Sequence, residues 1–420
     1  MGDRGVLAER IFSQFALSRE RQWRPQRLAW TALSAAWDEG STAAIRFEHA
    51  AAAAEGLHRH WSLGGTYAGY ARALAAASPA LLPQIVRRLQ RTMQKRFDSS
   101  GRIDGWWPVA VDGSRVEAPR TEANTERLGC AGREKSGPQV SVAAFWQLAL
   151  GVAWDYRVGA GVESERTLVN EMLGALPAHS LFVADAGFAS YDLCRRLAAA
   201  GHGFLLRIGR NVRLLKQLGY ARREGADTVY LWPDRARLAD REPLALRLVV
   251  RKRGKQAMYL LTNLNARQLS AARADELYRR RWGVETFFRT YKQTLQRRKL
   301  LSRTAQNALV ECRWTVAAVW LLGLVCLARR PLVERTPWSP AQARDAVRRA
   351  LRPAVRERPS FQTAIREARL DHYVRRGPKR ARDYPRKKRE SPPRKPRIKT
   401  ADQTQINTAQ RLRSTNQQRT

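Results

Sequence analysis

Between Asp275 and Lys292 the chain reads DELYRRRWGVETFFRTYK, and four of these side chains could do chemistry together. Leu277, Val284, Phe288, Tyr291 and Leu295 recur at helical steps, so the spacing predicts one amphipathic helix. At about 100° per residue, Tyr278, Arg281, Glu285 and Lys292 fall within roughly 60° of arc beside the apolar stripe. A phenol, a guanidinium, a carboxylate and an ammonium on the edge of a buried face can hold a polar ligand. A solvated helix face carries the same residue types, so the stripe alone does not decide its role.

Two more carboxylates stand at the ends of apolar runs. Trp107 to Val111 reads as a strand ending at Asp112-Gly113, and Leu181 to Ala184 as a strand ending at Asp185. Singly, each aspartate is a good turn residue. Together with Glu285 they form a set of hard oxygen donors of the kind Mg²⁺ prefers. Two such ions about 4 Å apart can activate a water or a 3′-hydroxyl and stabilise the leaving oxygen of a phosphodiester. Without a cation the same carboxylates would repel one another.

The elements that must position these residues follow from the punctuation. Residues 1–100 are rich in Ala, Leu and Arg and break at Trp23-Arg-Pro25, Gly40-Ser41, Gly64-Gly65 and Ser78-Pro79. They predict a separate helical, DNA-binding domain of four or five short helices, the last carrying Arg87, Arg88, Arg91, Lys95 and Arg96. Residues 101–209 alternate strand and helix: after the Trp107 strand come Val140 to Leu148 and Gly151 to Val158. A helix over Glu163 to Leu176, the Leu181 strand, a helix over Tyr191 to Ala200 and a strand over Phe204 to Ile208 complete it. This order predicts an α/β fold with a mixed sheet covered by helices. Residues 210–262 are strand-rich and read as a β insertion. Residues 263–335 hold the Glu285 helix and an apolar helix, and residues 336–374 are a helical segment. Residues 375–420, rich in Arg, Lys, Pro, Gln and Asn, read as a disordered basic tail.

Composition narrows the partners. The 420 residues carry a formal charge of +40, spread along the chain, which favours a polyanion such as DNA or RNA. The four cysteines show no Cys-x-x-Cys and the six histidines no zinc pattern, as in a reduced, cytosolic protein without structural metal. The N-terminus shows no signal-peptide pattern. The apolar run Trp314 to Ala328, about 15 residues or some 22 Å of helix, is shorter than a bilayer's roughly 30 Å core and is expected to be buried.

Tyr278, Arg281, Glu285 and Lys292 resemble, at every spacing, the Tyr-Arg-Glu-Lys signature of a group of bacterial DDE transposases, the insertion-sequence-four type. Asp112 in Val-Asp-Gly-Ser and Asp185 in Ala-Asp-Ala-Gly-Phe are similar to that family's two aspartates, in the same order. The resemblance covers roughly residues 105–330. It implies a ribonuclease-H-like core interrupted by a β insertion, with Asp112, Asp185 and Glu285 binding two Mg²⁺ ions (Mn²⁺ substituting) for cleavage and strand transfer. It further implies that Tyr278, Arg281 and Lys292 hold DNA phosphates. An aromatic residue of the insertion, for which Trp232 is the candidate, would stack on an extruded base of a hairpin intermediate. The implied partners are double-stranded terminal inverted repeats, target DNA and a second copy in a synaptic homodimer, without a membrane, in the nucleoid-containing cytoplasm of a bacterium. A ribonuclease-H-like nuclease and a non-catalytic DNA-binding remnant stand as alternatives. The signature spacing speaks against the first and the intact carboxylate set against the second.

Overall fold

The computed structural model describes residues 23–58, 61–63, 65–131, 137–253, 256–329, 338–351, 365–366, 368 and 394–417. The chain divides into two compact units. One comprises Met1–Gly101, Asp112–Ala175 and Gly283–Asp371; the other comprises Arg102–Val111, Leu176–Trp282 and His372–Thr420.

In the first unit, helices α1 (Pro25–Trp37), α2 (Ala43–Leu57) and α3 (Tyr67–Gly101) gather with α10 (Ala305–Arg329). The expected helical N-terminal region is present, but it is not a separate domain. Trp37 Nε1 donates to the Ala318 carbonyl at 3.1 Å, and Trp314 Nε1 to Ser78 Oγ at 2.8 Å. Indoles from both sides thus find their acceptors only when the N-terminal helices close on α10. The expected break at Ser78-Pro79 does not occur either. α3 runs through Pro79 and Pro83 and leaves helical backbone angles only at Phe97. Ser78 Oγ donates to the Leu74 carbonyl at 2.6 Å, and Leu74, Leu81, Leu82, Ile85, Leu89 and Met93 bury one stripe. Tertiary burial offsets the lost backbone donors of the two prolines.

The same unit holds the hairpin β2 (Gln139–Gln147) and β3 (Val152–Ala160), packed by α5 (Glu165–Met172) and by α10. Gly151 closes the hairpin at φ 66°, a conformation that suits glycine. α4 (Glu122–Leu128), in a polar stretch with no strong helical pattern, is capped by the Thr121 hydroxyl on Asn124 N. α11 (Pro340–Leu351) packs beside α1 and α10. α10 has 25 residues, about 37 Å. The length argument against a membrane span is therefore corrected. Ala305–Ala328 is long and apolar enough to cross one, but 78% of its most apolar window is buried inside the protein, so it is a core helix.

In the second unit the strand order is β10-β6-β7-β8-β9-β5-β4-β1. β4 (Ser180–Ala184) lies parallel to β1 (Trp107–Glu117) with Ala110 opposite Val183, and β5 (Gly203–Ile208) lies parallel to β4. α6 (Tyr191–Ala199) packs on β5, and α8 (Ala271–Arg280) on β8 and β4. The β insertion adds β6 (Arg213–Lys216), β7 (Thr228–Leu231), β8 (Leu244–Arg253) and β9 (Gln256–Thr262), with a short α7 (Asp234–Leu238). β9 pairs antiparallel with β5, so the insertion extends the core sheet. Parallel β1, β4 and β5 in this unit, and the antiparallel β2–β3 pair in the first, are the strand directions expected of a ribonuclease-H-like core.

One expected region differs. The tail is not wholly without structure: β10 (Arg397–Thr400) pairs parallel with β6, and α12 (Gln403–Gln417) follows it. Composition misses this because β10 gains backbone partners, and Ala401, Ala409 and Leu412 supply the buried contacts. Residues 375–393 and most of 352–374 lie outside the described residues.

Candidate active site

The six signature residues divide between the units. Asp112, Glu285 and Lys292 belong to the first, and Asp185, Tyr278 and Arg281 to the second.

In the first unit, β1 carries Asp112 and, two residues on and so on the same side of the strand, Ser114. Asp112 Oδ1 accepts the Gly113 N–H at 2.9 Å. Lys292 Nζ donates to Ser114 Oγ at 2.7 Å, which anchors the signature lysine to the strand that bears the first aspartate. Glu285 sits half-buried in the first turn of α9 (Trp282–Arg289), where a carboxylate also suits the helix dipole. Val284, Phe287 and Phe288 bury the opposite stripe, and the Phe287 ring lies 5.7 Å from Trp146 and 5.3 Å from Phe288. Gly283 is required here, because a Cβ on it would lie 2.5 Å from Trp146 Nε1.

The expected single helix from Asp275 to Lys292 is in fact three pieces. α8 ends at Arg280, and Arg281 N bonds the Tyr278 carbonyl at 3.2 Å in a tightened turn. α9 begins at Trp282, and Thr290–Thr294 is a π-helical turn closed by Leu295 N on the Thr290 carbonyl at 2.9 Å. The 100° arithmetic therefore fails at both joints. The widened turn is what carries Lys292, and such turns are frequent at functional positions. Ser114→Ala removes a hydrogen bond from a charged group worth about 1.5–3 kcal/mol. The proposed role of Lys292 predicts that cleavage falls by about tenfold or more, while the melting point drops by only a few degrees, measured by single-turnover cleavage beside thermal denaturation.

In the second unit, Asp185 follows β4 directly, and its Oδ1 accepts the Gly187 N–H at 2.9 Å. The turn leads into α6, whose N-cap Ser190 accepts from Leu193 N. Tyr278 is 8% exposed, and burial raises its phenol above the ordinary tyrosine range. Asp185 raises it further, while Arg281 and Arg207 act in the opposite sense. The Arg281 guanidinium lies 5.7 Å over the Tyr278 ring. The Tyr278 phenol lies within hydrogen-bonding reach of the Arg207 guanidinium, with Asp185 close enough to act on it, so a phenol, two guanidinium groups and a carboxylate form one buried polar cluster. Such a cluster can present cationic donors to an anionic oxygen of a ligand.

The donor chemistry of Asp112, Asp185 and Glu285, carboxylate oxygens throughout, fits a hard divalent ion. Among the described residues, no three His, Cys, Asp or Glu side chains are grouped so as to hold one. Trp232 is corrected as an extruded-base platform. It is 5% exposed, and its Nε1 donates to the Arg241 carbonyl at 2.7 Å, so its polar atom and its surface are already used in packing. Two residues escape sequence reasoning. Arg207 interrupts the apolar run of β5, a signal that could have been read. Trp282, 57% exposed between Arg281 and Glu285, is visible only once the helix is seen to break there.

Residues 107–322 match the family described as the transposase DDE domain. The chain is 26% identical over 219 residues to the transposase InsG for insertion sequence element IS4 of Escherichia coli (strain K12), covering 48% of each chain. It therefore spans about half the length of that curated relative. A cryo-EM structure of the piggyBac transposase synaptic complex with hairpin DNA is similar at a TM-score of 0.42 and 10% identity, over 86% of this chain and 78% of that one. The topology above stands without that distant likeness. The family match takes in just over half of the chain, from β1 into α10, and the chain belongs to the transposase DDE domain family.

Proposed function

We propose that this chain is the enzyme of a mobile DNA element, cutting at the element's ends and joining them to target DNA. Asp112, Asp185 and Glu285 would hold two divalent ions, Mg²⁺ or Mn²⁺. When bound, such ions make an attacking oxygen nucleophilic and stabilise the leaving one. The chain's own residues do the rest. Tyr278, Arg207 and Arg281 present donors to a phosphate oxygen beside Asp185, and the basic surround offsets the charge of the incoming strand. Lys292, fixed through Ser114 to the β1 strand, aims an ammonium at the same substrate class. The observation that carries this reading is the buried polar cluster in which Tyr278, Arg207 and Arg281 gather beside Asp185.

Double-stranded DNA is the proposed partner, as terminal inverted repeats and as target. Because two ends must be joined, the working form is a dimer. With Trp232 used in packing, the exposed Trp282 takes over the proposed role of aromatic platform for a base near the cut. The test is excision of the gene's own flanking DNA by the purified chain in Mg²⁺, with EDTA controls. Cuts at the element boundary that require the metal support the reading. Binding of those ends without any cut, at any divalent ion, would make the chain a DNA-binding remnant instead.

A further inference from the structure

The second unit contains a cleft of about 590 Å³ that uses none of the six signature residues. It lies against β6, α7, the start of α6 and the C-terminal β10–α12 segment. β10 is held to the insertion by backbone: Arg397 N donates to the Val212 carbonyl at 3.1 Å and Ala401 N to the Lys216 carbonyl at 2.9 Å. Arg411 of α12 pairs with Asp240 at 2.6 Å and fixes the helix on the same module.

The pairing creates an unusual charge pattern. In the parallel register Arg397 stands opposite Arg213, and Lys399 opposite Leu215. Arg213, Arg397 and Lys399 therefore share one side of the two-strand ladder and are exposed, while Leu214 on the other side is 1% exposed. Like charges placed directly opposite destabilise a ladder. Among the described residues, none of these three cations has a carboxylate partner. Asp234, the acidic residue of the cleft, pairs with Arg237 at 3.3 Å, and Arg235 already pairs with Asp192. The remaining lining includes Leu215 and the polar Ser190, Asn211 and Gln405. A cationic wall beside neutral polar and aliphatic groups matches a nucleic-acid strand, with its backbone phosphates on the cations. The volume exceeds what one free phosphate requires.

We propose that this cleft is a second DNA-binding site, completed by the C-terminal segment, in which Arg213, Arg397 and Lys399 take consecutive backbone phosphates. The inference shares with the proposed function the choice of DNA as partner and uses nothing of the catalytic assignment.

The test compares the full chain with the double variant Arg397→Ala/Lys399→Ala in binding a random-sequence duplex, by fluorescence anisotropy across a range of salt. Each lost phosphate contact lowers the slope of log K against log salt by about 0.9. The expected change is about 1.8, with affinity about 30-fold weaker at 0.15 M salt. Arg394→Ala/Lys395→Ala removes the same charge from neighbouring residues that do not line the cleft, and is expected to leave the slope within about 0.5 of wild type. An unchanged slope for the first variant overturns the inference, as does an equal loss in both, which would mean general basicity. Metal-dependent cutting by wild type is read in a separate reaction, so failure of the catalytic reading leaves this outcome legible.

Discussion

Replacing Glu285 by alanine is expected to reduce metal-dependent cleavage at the element's ends by about a thousandfold or more while DNA binding stays equal or tightens. On the proposed function Glu285 is one of three metal-holding carboxylates, and losing about 4 kcal/mol of barrier stabilisation corresponds to that factor. The fold has little reason to change. The side chain is half-buried in the first turn of α9, alanine is a strong helix former, and Val284, Phe287 and Phe288 hold the helix by its other stripe. Binding persists because Tyr278, Arg281, Arg207 and Lys292 are untouched and one negative charge facing DNA is gone. Single-turnover cleavage and anisotropy on the same preparation decide it. Cleavage within tenfold of wild type removes Glu285 from the chemistry. Loss of binding together with cleavage makes it a structural residue.

The second large effect falls on stability. Arg297 is 1% exposed and donates to four carbonyls: Leu295 at 2.9 Å, Ala35 at 3.1 Å, Ala36 at 2.9 Å and Asp38 at 2.8 Å. Three of these belong to the C-terminal end of α1, where carbonyls have no intrahelical donor. Asp38 N satisfies Ser34 and Arg348 Nε satisfies Trp37 at 2.7 Å, so every carbonyl from 34 to 38 is accounted for. Burial is costly for the guanidinium, whose pKa falls to about 10, with Arg46 adding to the fall and Glu311 opposing it. At neutral pH it remains charged. Arg297→Met recovers the desolvation cost but leaves all four carbonyls without this donor, for a net loss of about 3–5 kcal/mol. Arg297→Lys keeps the charge without the planar fork and recovers only part of this. Denaturant unfolding measures both. A methionine variant within 1 kcal/mol of wild type would mean that water replaces the guanidinium at the end of α1.

The sequence was informative where one local rule governed. Strands β2 to β5 and β7 to β9 stand within a few residues of their expected places, whereas β1 runs on to Glu117, so Asp112 lies inside the strand and not at its end. The three carboxylates are candidates by residue type and spacing alone. What could not be read depends on partners distant in sequence. β6 and β10 are four residues each, rich in Arg and Lys, and exist by pairing backbone with one another. Gly283 lies against the indole of Trp146, a contact across more than a hundred residues. α3 survives two prolines because its other face is buried. Trp232 is buried although its neighbours Pro233 and Asp234 read as an exposed turn.

The proposed function assigns divalent-ion binding to Asp112, Asp185 and Glu285. Its most direct measurement is Mn²⁺ binding to the DNA-bound chain, read by electron paramagnetic resonance, for wild type and for Asp112→Ala, Asp185→Ala and Glu285→Ala. The account predicts that each substitution alone weakens Mn²⁺ binding by about tenfold or more, since each removes a proposed ligand. Variants that bind Mn²⁺ as wild type does, or a loss confined to one of the three, would contradict that assignment.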